Sequence, residues 1–165
     1  MATTTFRGTP VHTVGDLPPQ GSAAPPYTLT GTDLADFTSD ETAGSRVVLN
    51  IFPSIETGVC SASVRRFNEL AARLEDTTVV CVSADLPFTL AKFCGAEGIE
   101  NVTVGSSFRS SFGTDFGITM IDGAWRGLLA RSVVVVDRDG TVLHTEVVPD
   151  IGTEPDYDAA VAALG

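Results

Sequence analysis

Two rhythms share the middle of this chain. RVVLNIF (46–52) is an almost unbroken apolar, β-branched run, the pattern of a strand buried on both faces. From Cys60 the period changes: Val64, Phe67, Ala71 and Leu74 recur at spacings of 3, 4 and 3, with Arg65, Arg66, Glu69 and Arg73 off that face. That spacing predicts an amphipathic helix. TTVVCVSAD (77–85) returns to the buried-strand pattern and carries Cys81. In Leu86-Pro87-Phe88 the proline suits the first turn of a second helix, expected to run to Phe93-Cys94 and stop by Gly95. Strand, helix, strand in this order implies a parallel pair joined by a right-handed crossover.

The flanks are less regular. TTTF and PVHTV around Arg7-Gly8-Thr9 predict a small N-terminal β-hairpin, followed by a proline-rich connector, GDLPPQGSAAPPY. TLTGTDLADFTSDETAG reads as one short strand and turns crossing the surface, and residues 95–131 read as loop-rich. In RSVVVVDRDGTVLHTEVV, Arg138-Asp139-Gly140 turns between two apolar runs, which predicts an antiparallel hairpin. EPDYDAAVAALG predicts a closing helix whose carboxylates face solvent. The sum is an α/β chain with a mixed central sheet and helices on both faces. At 165 residues it is expected to form a single domain, 1–165, with 1–20 as hairpin and connector.

Charge and length narrow the partners. The net charge is −11, with Lys+Arg 10 against Asp+Glu 21 and no basic cluster, so nucleic acid is not an expected partner. No apolar run approaches the ~20 residues that span a bilayer, and no secretory leader pattern opens the chain, so a cytoplasmic location is expected. Cys60, Cys81 and Cys94 are an odd number without a CxxC, and His12 and His144 lie far from them in sequence. Neither a disulfide scaffold nor a zinc site is expected. The chain has no GxSxG and no phosphate-binding GxxxxGK[ST], and DRDG lacks the further acidic ligands of a calcium loop.

The three cysteines have different surroundings. Cys60 lies one turn before Val64, in or just before the first turn of its helix, where unpaired N–H groups and a partial positive charge favour an anion. It is therefore placed to be a nucleophile. Cys81 sits mid-strand among apolar residues and reads as a buried structural thiol. Cys94, expected at a helix C-terminus, is a poor first nucleophile, though it can attack an oxidised partner. Its separation of 34 residues from Cys60 does not by itself place the two thiols together.

Pro53-Ser54-Ile55-Glu56-Thr57-Gly58-Val59-Cys60 matches the PxxxTxxC signature of peroxiredoxins. The stretches NIFPSIETGVCSASVRRFNE, VSADLPFTLAKFCGAEGIENV, FRSSFGTDFGI and GLLARSVVVVDRDG occur in the order found in bacterial thiol peroxidases, the atypical two-cysteine branch. The chain resembles that family over nearly its whole length. The resemblance implies a thioredoxin-like fold and a thiol peroxidase that reduces hydrogen peroxide and alkyl hydroperoxides, with no metal or other cofactor. It implies Cys60 as the peroxidatic cysteine, Cys94 as the resolving cysteine of a Cys60–Cys94 disulfide, and Thr57 and Arg131 completing the site. Pro53 would shield it. Thioredoxin is the implied reductant and a homodimer the implied assembly.

Peroxide reduction by a thiolate needs residues of these types. Thr57 can donate to the thiolate or accept from the hydroperoxide, and it can equally be a plain helix cap. Arg131 supplies a permanent cation with several fixed donors, although its spacing alone reads as a surface charge. Two departures stand out: Gly58 where the family commonly has proline, and Ala124-Trp125-Arg126 before GLLAR in place of smaller, more neutral residues. Gly58 is expected to loosen the loop, and Trp125 and Arg126 to reshape the substrate mouth or a dimer contact. The rival function is a peroxide sensor or redox-switched interaction protein, in which the same cysteines change a partner surface and turnover is incidental.

Overall fold

A computed structural model describes residues 1–165. The apolar runs form the centre of a seven-stranded sheet. β1 (Thr3–Phe6) and β2 (Thr9–His12) make a separate antiparallel hairpin, turned by Arg7 and Gly8, both at positive φ (51° and 82°). Such a turn matches strand twist, and glycine adopts it without strain. The main sheet runs β4 (Asp36–Thr38), β3 (Thr28–Gly31), β7 (Thr103–Ser106), β6 (Thr77–Ser83), β5 (Arg46–Ile51), β8 (Ser132–Val136), β9 (Val142–Val147). β5, β6 and β7 are parallel; the pairs outside them are antiparallel.

Period-two alternation divides the interior into two cores. Val47, Leu49 and Ile51 of β5, with Val80, Val82, Val134 and Val136, face a cluster closed by Phe112, Phe116, Ile118 and the hairpin's Val11. Val48 and Phe52, with Val79, Cys81, Val133 and Val135, face the other way. There they meet Val64 and Phe67 of α1 (Gly58–Ala71), Leu90 of α2 (Pro87–Glu97) and Ala160 of α4 (Tyr157–Ala162). The single-turn α3 (Phe112–Asp115) serves the first core. Helices thus flank both faces, with the longer ones on the side that carries the thiols. No helix is long and apolar enough to cross a membrane.

Three local readings change. α2 does not stop at Gly95: it continues to Glu97, and Gly98, at φ 65°, caps it by donating to the Cys94 carbonyl. Ile99 N–H donates to the same carbonyl at 3.1 Å. A glycine stops a helix where left-handed backbone is needed, and here that is three residues later. Residues 95–131 contain β7 and α3; a four-residue TVGS strand is too short to show a period. Residues 28–38 form a β3–β4 hairpin at the sheet edge, with Leu29 and Thr30 buried. In the closing segment the carboxylates face solvent as expected, and Asp156 is also the N-cap of α4, accepting from Ala159 N–H at 3.0 Å.

Candidate active site

The site is assembled where β5, β6 and β8 meet the loop that enters α1. β5 ends at Ile51, Phe52 N–H donates to Val82 O, and the buried Pro53 begins the loop. Ser54 to Thr57 close a turn, Thr57 N–H donating to Ser54 O at 3.2 Å. Thr57, with φ −95° and ψ 145°, is the N-cap of α1, and its Oγ1 accepts from Cys60 N–H at 3.4 Å. The Thr57 hydroxyl proton goes to Ser54 O at 3.2 Å. Cys60 is therefore in the first turn, at the positive end of a 14-residue helix whose first turn has no acidic residue. The cap reading of Thr57 holds in this state, and no hydrogen bond links its hydroxyl to the thiol.

The structure places Arg131 beside Cys60. It precedes β8 and is only 1% exposed, so the surface-charge reading is overturned. Its Nη2 lies 3.2 Å from Cys60 Sγ. Nε and Nη2 also donate to the Ile151 carbonyl at 3.0 and 2.9 Å, which fixes the plane of the guanidinium. Nη1 is buried without a partner. No carboxylate pairs with Arg131. Enclosing a cation without a counter-charge is costly, and the nearest group able to supply one is the Cys60 sulfur. The spare Nη1 donor suits an oxygen of a bound oxyanion or peroxide.

The remaining thiols separate from Cys60. Cys81, fully buried, is pushed up to about 12 by desolvation, only partly offset by Asn50 Nδ2 at 3.7 Å. Cys94 lies inside the last turns of α2, half-buried against the same core as Cys60, and burial raises its thiol. All three are free thiols. Arg65 of α1 ties the two helices together, pairing with Glu97 at 3.1 Å and lying over the Phe93 ring at 5.6 Å.

Sequence reasoning missed two supports. One is the Ile151 carbonyl, a main-chain group that no side-chain pattern announces. It is held by the N-terminal hairpin: Ile151 N–H donates to Thr5 O at 2.9 Å and Thr4 Oγ1 to Val148 O at 2.8 Å. The other is Asp85, which lay in the quoted DLPF motif and bonds the Ser54–Ile55 turn. Trp125 packs against Phe6 of the hairpin in a tilted arrangement, ring centroids 4.7 Å apart, and lies on the first core, while Arg126 is exposed. A crevice of about 320 Å³, lined by Tyr27, Asp40, Val47, Val136 and Arg138 among others, opens at the far end of β5 and contains no cysteine.

Comparison with known proteins agrees with this geometry. The Redoxin family model matches residues 19–161. The thiol peroxidase of Mycobacterium tuberculosis is 56% identical over 165 residues, covering 100% of this chain and 99% of that protein. That of Corynebacterium glutamicum is 56% identical over 164 residues, 99% of each chain. Among solved structures, a peroxiredoxin-like protein from Aquifex aeolicus superposes with a TM-score of 0.93 at 36% identity, covering 98% of this chain and 95% of its own. The Chromobacterium violaceum thiol peroxidase, at TM-score 0.90 and 16% identity over 98% and 94%, shares the fold. The chain belongs to the redoxin family and, within it, to the thiol peroxidases.

Proposed function

We propose that this protein reduces hydroperoxides at Cys60 and closes each cycle through a Cys60–Cys94 disulfide. The observation that carries this reading is Arg131: a buried guanidinium with one donor 3.2 Å from Cys60 Sγ and a second, Nη1, unspent. The Cys60 thiolate attacks the terminal peroxide oxygen, an S–O bond forms, and the O–O bond breaks. The leaving oxygen departs as alkoxide or hydroxide and takes a proton to become alcohol or water. Nη1 of Arg131 stabilises the charge that grows on the peroxide oxygens, and Thr57 Oγ1 turns from Ser54 O to accept from the hydroperoxide. Pro53 limits water at the sulfur. Cys94 then attacks the sulfenic sulfur, an S–S bond forms, and the hydroxyl leaves as water. A dithiol protein of the thioredoxin type exchanges with the disulfide and resets both thiols. Residues 1–165 act as one domain, the assembly is a homodimer, and the compartment is the reducing cytoplasm.

The test is free of reductant. Reduced protein is mixed with one equivalent of an alkyl hydroperoxide, thiol loss is followed in time, and peptides are mapped without reduction. Fast loss with a Cys60–Cys94 link is expected. Cys60→Ser should not consume peroxide above the rate of a free thiol. Cys94→Ser should consume about one equivalent and then stall with thioredoxin as reductant. Loss no faster than a free thiol, or a link through Cys81, overturns the assignment and leaves the sensor reading.

A further inference from the structure

The peroxide site rests on a carboxylate that has no part in the chemistry just described. Asp85 follows β6, beside the end of β7, where Ser106 Oγ donates to its backbone carbonyl and Ser83 Oγ accepts from its N–H at 3.2 Å. From that fixed base its side chain reaches across to the loop between β5 and α1. Oδ1 accepts from Ser54 Oγ at 2.7 Å; Oδ2 accepts from Ile55 N–H at 2.7 Å and from Ser83 Oγ at 2.6 Å. No cation pairs with it. Three neutral donors, two of them on the loop, converge on an acceptor-only group.

What those two loop contacts hold matters more than their number. Ser54 is the residue on which Thr57 turns: its carbonyl accepts both Thr57 N–H and Thr57 Oγ1, each at 3.2 Å. Thr57 in turn receives Cys60 N–H. A continuous path of hydrogen bonds therefore runs from Asp85 through Ser54 and Thr57 to the first turn of α1. Cys60 is held separately, through its sulfur, by Arg131 and, behind it, Ile151. The thiol thus has two supports, and Asp85 is the base of one of them.

We infer that Asp85 is a positioning residue for peroxide reduction, acting through the Ser54–Ile55 turn on Thr57. The inference deepens the Cys60 reading and rests on it. In-line attack tolerates little displacement: a shift near 1 Å at a reacting group costs up to about 100-fold. Asp85→Ala removes all three acceptor contacts. Asp85→Asn keeps one oxygen for Ile55 N–H and Ser83 and reverses the bond at Ser54, whose hydroxyl can accept.

The experiment measures the second-order rate of Cys60 oxidation by an alkyl hydroperoxide in wild type, Asp85→Asn, Asp85→Ala, Ser54→Ala and Thr57→Val, with alkylation of Cys60 by iodoacetamide beside it. Expected is a graded loss, small for Asn and about 10–100-fold for Ala, larger for peroxide than for iodoacetamide, which needs no Thr57. In a Thr57→Val background, Asp85→Ala should cost little more. A merely structural loosening would move both reagents together and add undiminished to Thr57→Val, and that result overturns the inference. So does a folded Asp85→Ala protein within twofold of wild type. If Asp85→Ala does not fold, Ser54→Ala and Asp85→Asn read the same path, and wild-type peroxide rates from both would overturn it. If wild-type Cys60 is itself no faster than a free thiol, the Cys60 assignment fails instead.

Discussion

Cys60 and Cys81 are equally hidden from water, on the same face of the same sheet, yet their chemistry diverges. Burial by itself raises a thiol and keeps it protonated. Cys81 shows chiefly that effect: mid-strand, with Asn50 Nδ2 at 3.7 Å offsetting it only in part, it is pushed up to about 12. Cys60 is enclosed as completely, but it lies at the positive end of α1 with a guanidinium donor at 3.2 Å. One buried sulfur is thus met by a helix N-terminus and a guanidinium, the other by apolar strand neighbours. Exposure does not tell the two sulfurs apart; the cation beside one of them does.

The sharpest way to break the contrast is to remove that charge. Arg131→Met keeps the stem and deletes both the donor at Cys60 and the spare Nη1, making Cys60 resemble Cys81. Loss of one such donor typically costs about 100–1,000-fold in rate, and at least that is expected in the peroxide reaction. Alkylation of Cys60 by iodoacetamide at pH 7 should slow with it. An unchanged alkylation rate would mean that Arg131 does not act on the sulfur. Arg131→Lys should recover only part of the rate, because one ammonium cannot bond Ile151 O as the Nε and Nη2 pair does while also keeping a donor on the sulfur and another free.

Cys81 gives the complementary, smaller effect, read in stability. Its folded value lies above its ordinary value of 9.0, so the folded state keeps a proton that the unfolded state loses. The stability this represents is whole below about pH 9 and declines as pH rises toward 12, by up to about 1.4 kcal/mol per pH unit in that window. Urea unfolding of the reduced protein at stepped alkaline pH should show this slope. Cys81→Ala should flatten it relative to wild type while leaving a peroxide reaction within about twofold at pH 7. An equal slope in both proteins would mean the thiolate is tolerated where it stands.

How much of this was readable in the chain follows from how local each signal is. β5, α1, β6 and the β8–β9 hairpin were legible because each imposes its own period on contiguous residues. The entry of α1 was legible because Thr57 and Cys60 are three apart and meet within one turn. β7 was not, since TVGS owes its place to neighbours on both sides, Val80 to Ser83 of β6 and Thr30 and Gly31 of β3. The end of α2 was misjudged because Gly95 and Gly98 look alike in sequence; only the left-handed backbone at Gly98 tells them apart. Arg131 was assigned by motif while its spacing pointed to the surface. Its burial depends on Ile151, 20 residues on, and on a hairpin at the other terminus.

The smallest effect concerns the loop between the two thiol environments. Gly58 is the first residue of α1, and the Thr57 before it already has the extended backbone that a following proline demands, φ −95° and ψ 145°. A Cβ at Gly58 meets nothing within 4 Å, and its N–H, in the first helical position, has no helical acceptor to lose. The expected loosening is therefore a property of the unfolded chain as much as of the folded loop. Gly58→Pro should raise stability by about 0.4–1 kcal/mol by restricting the unfolded ensemble, measured as a shift in urea midpoint at constant m-value. The rate of the peroxide step should change little, because Thr57 and Cys60 keep their places. A destabilised variant would show instead that Gly58 serves a backbone geometry other than the one described.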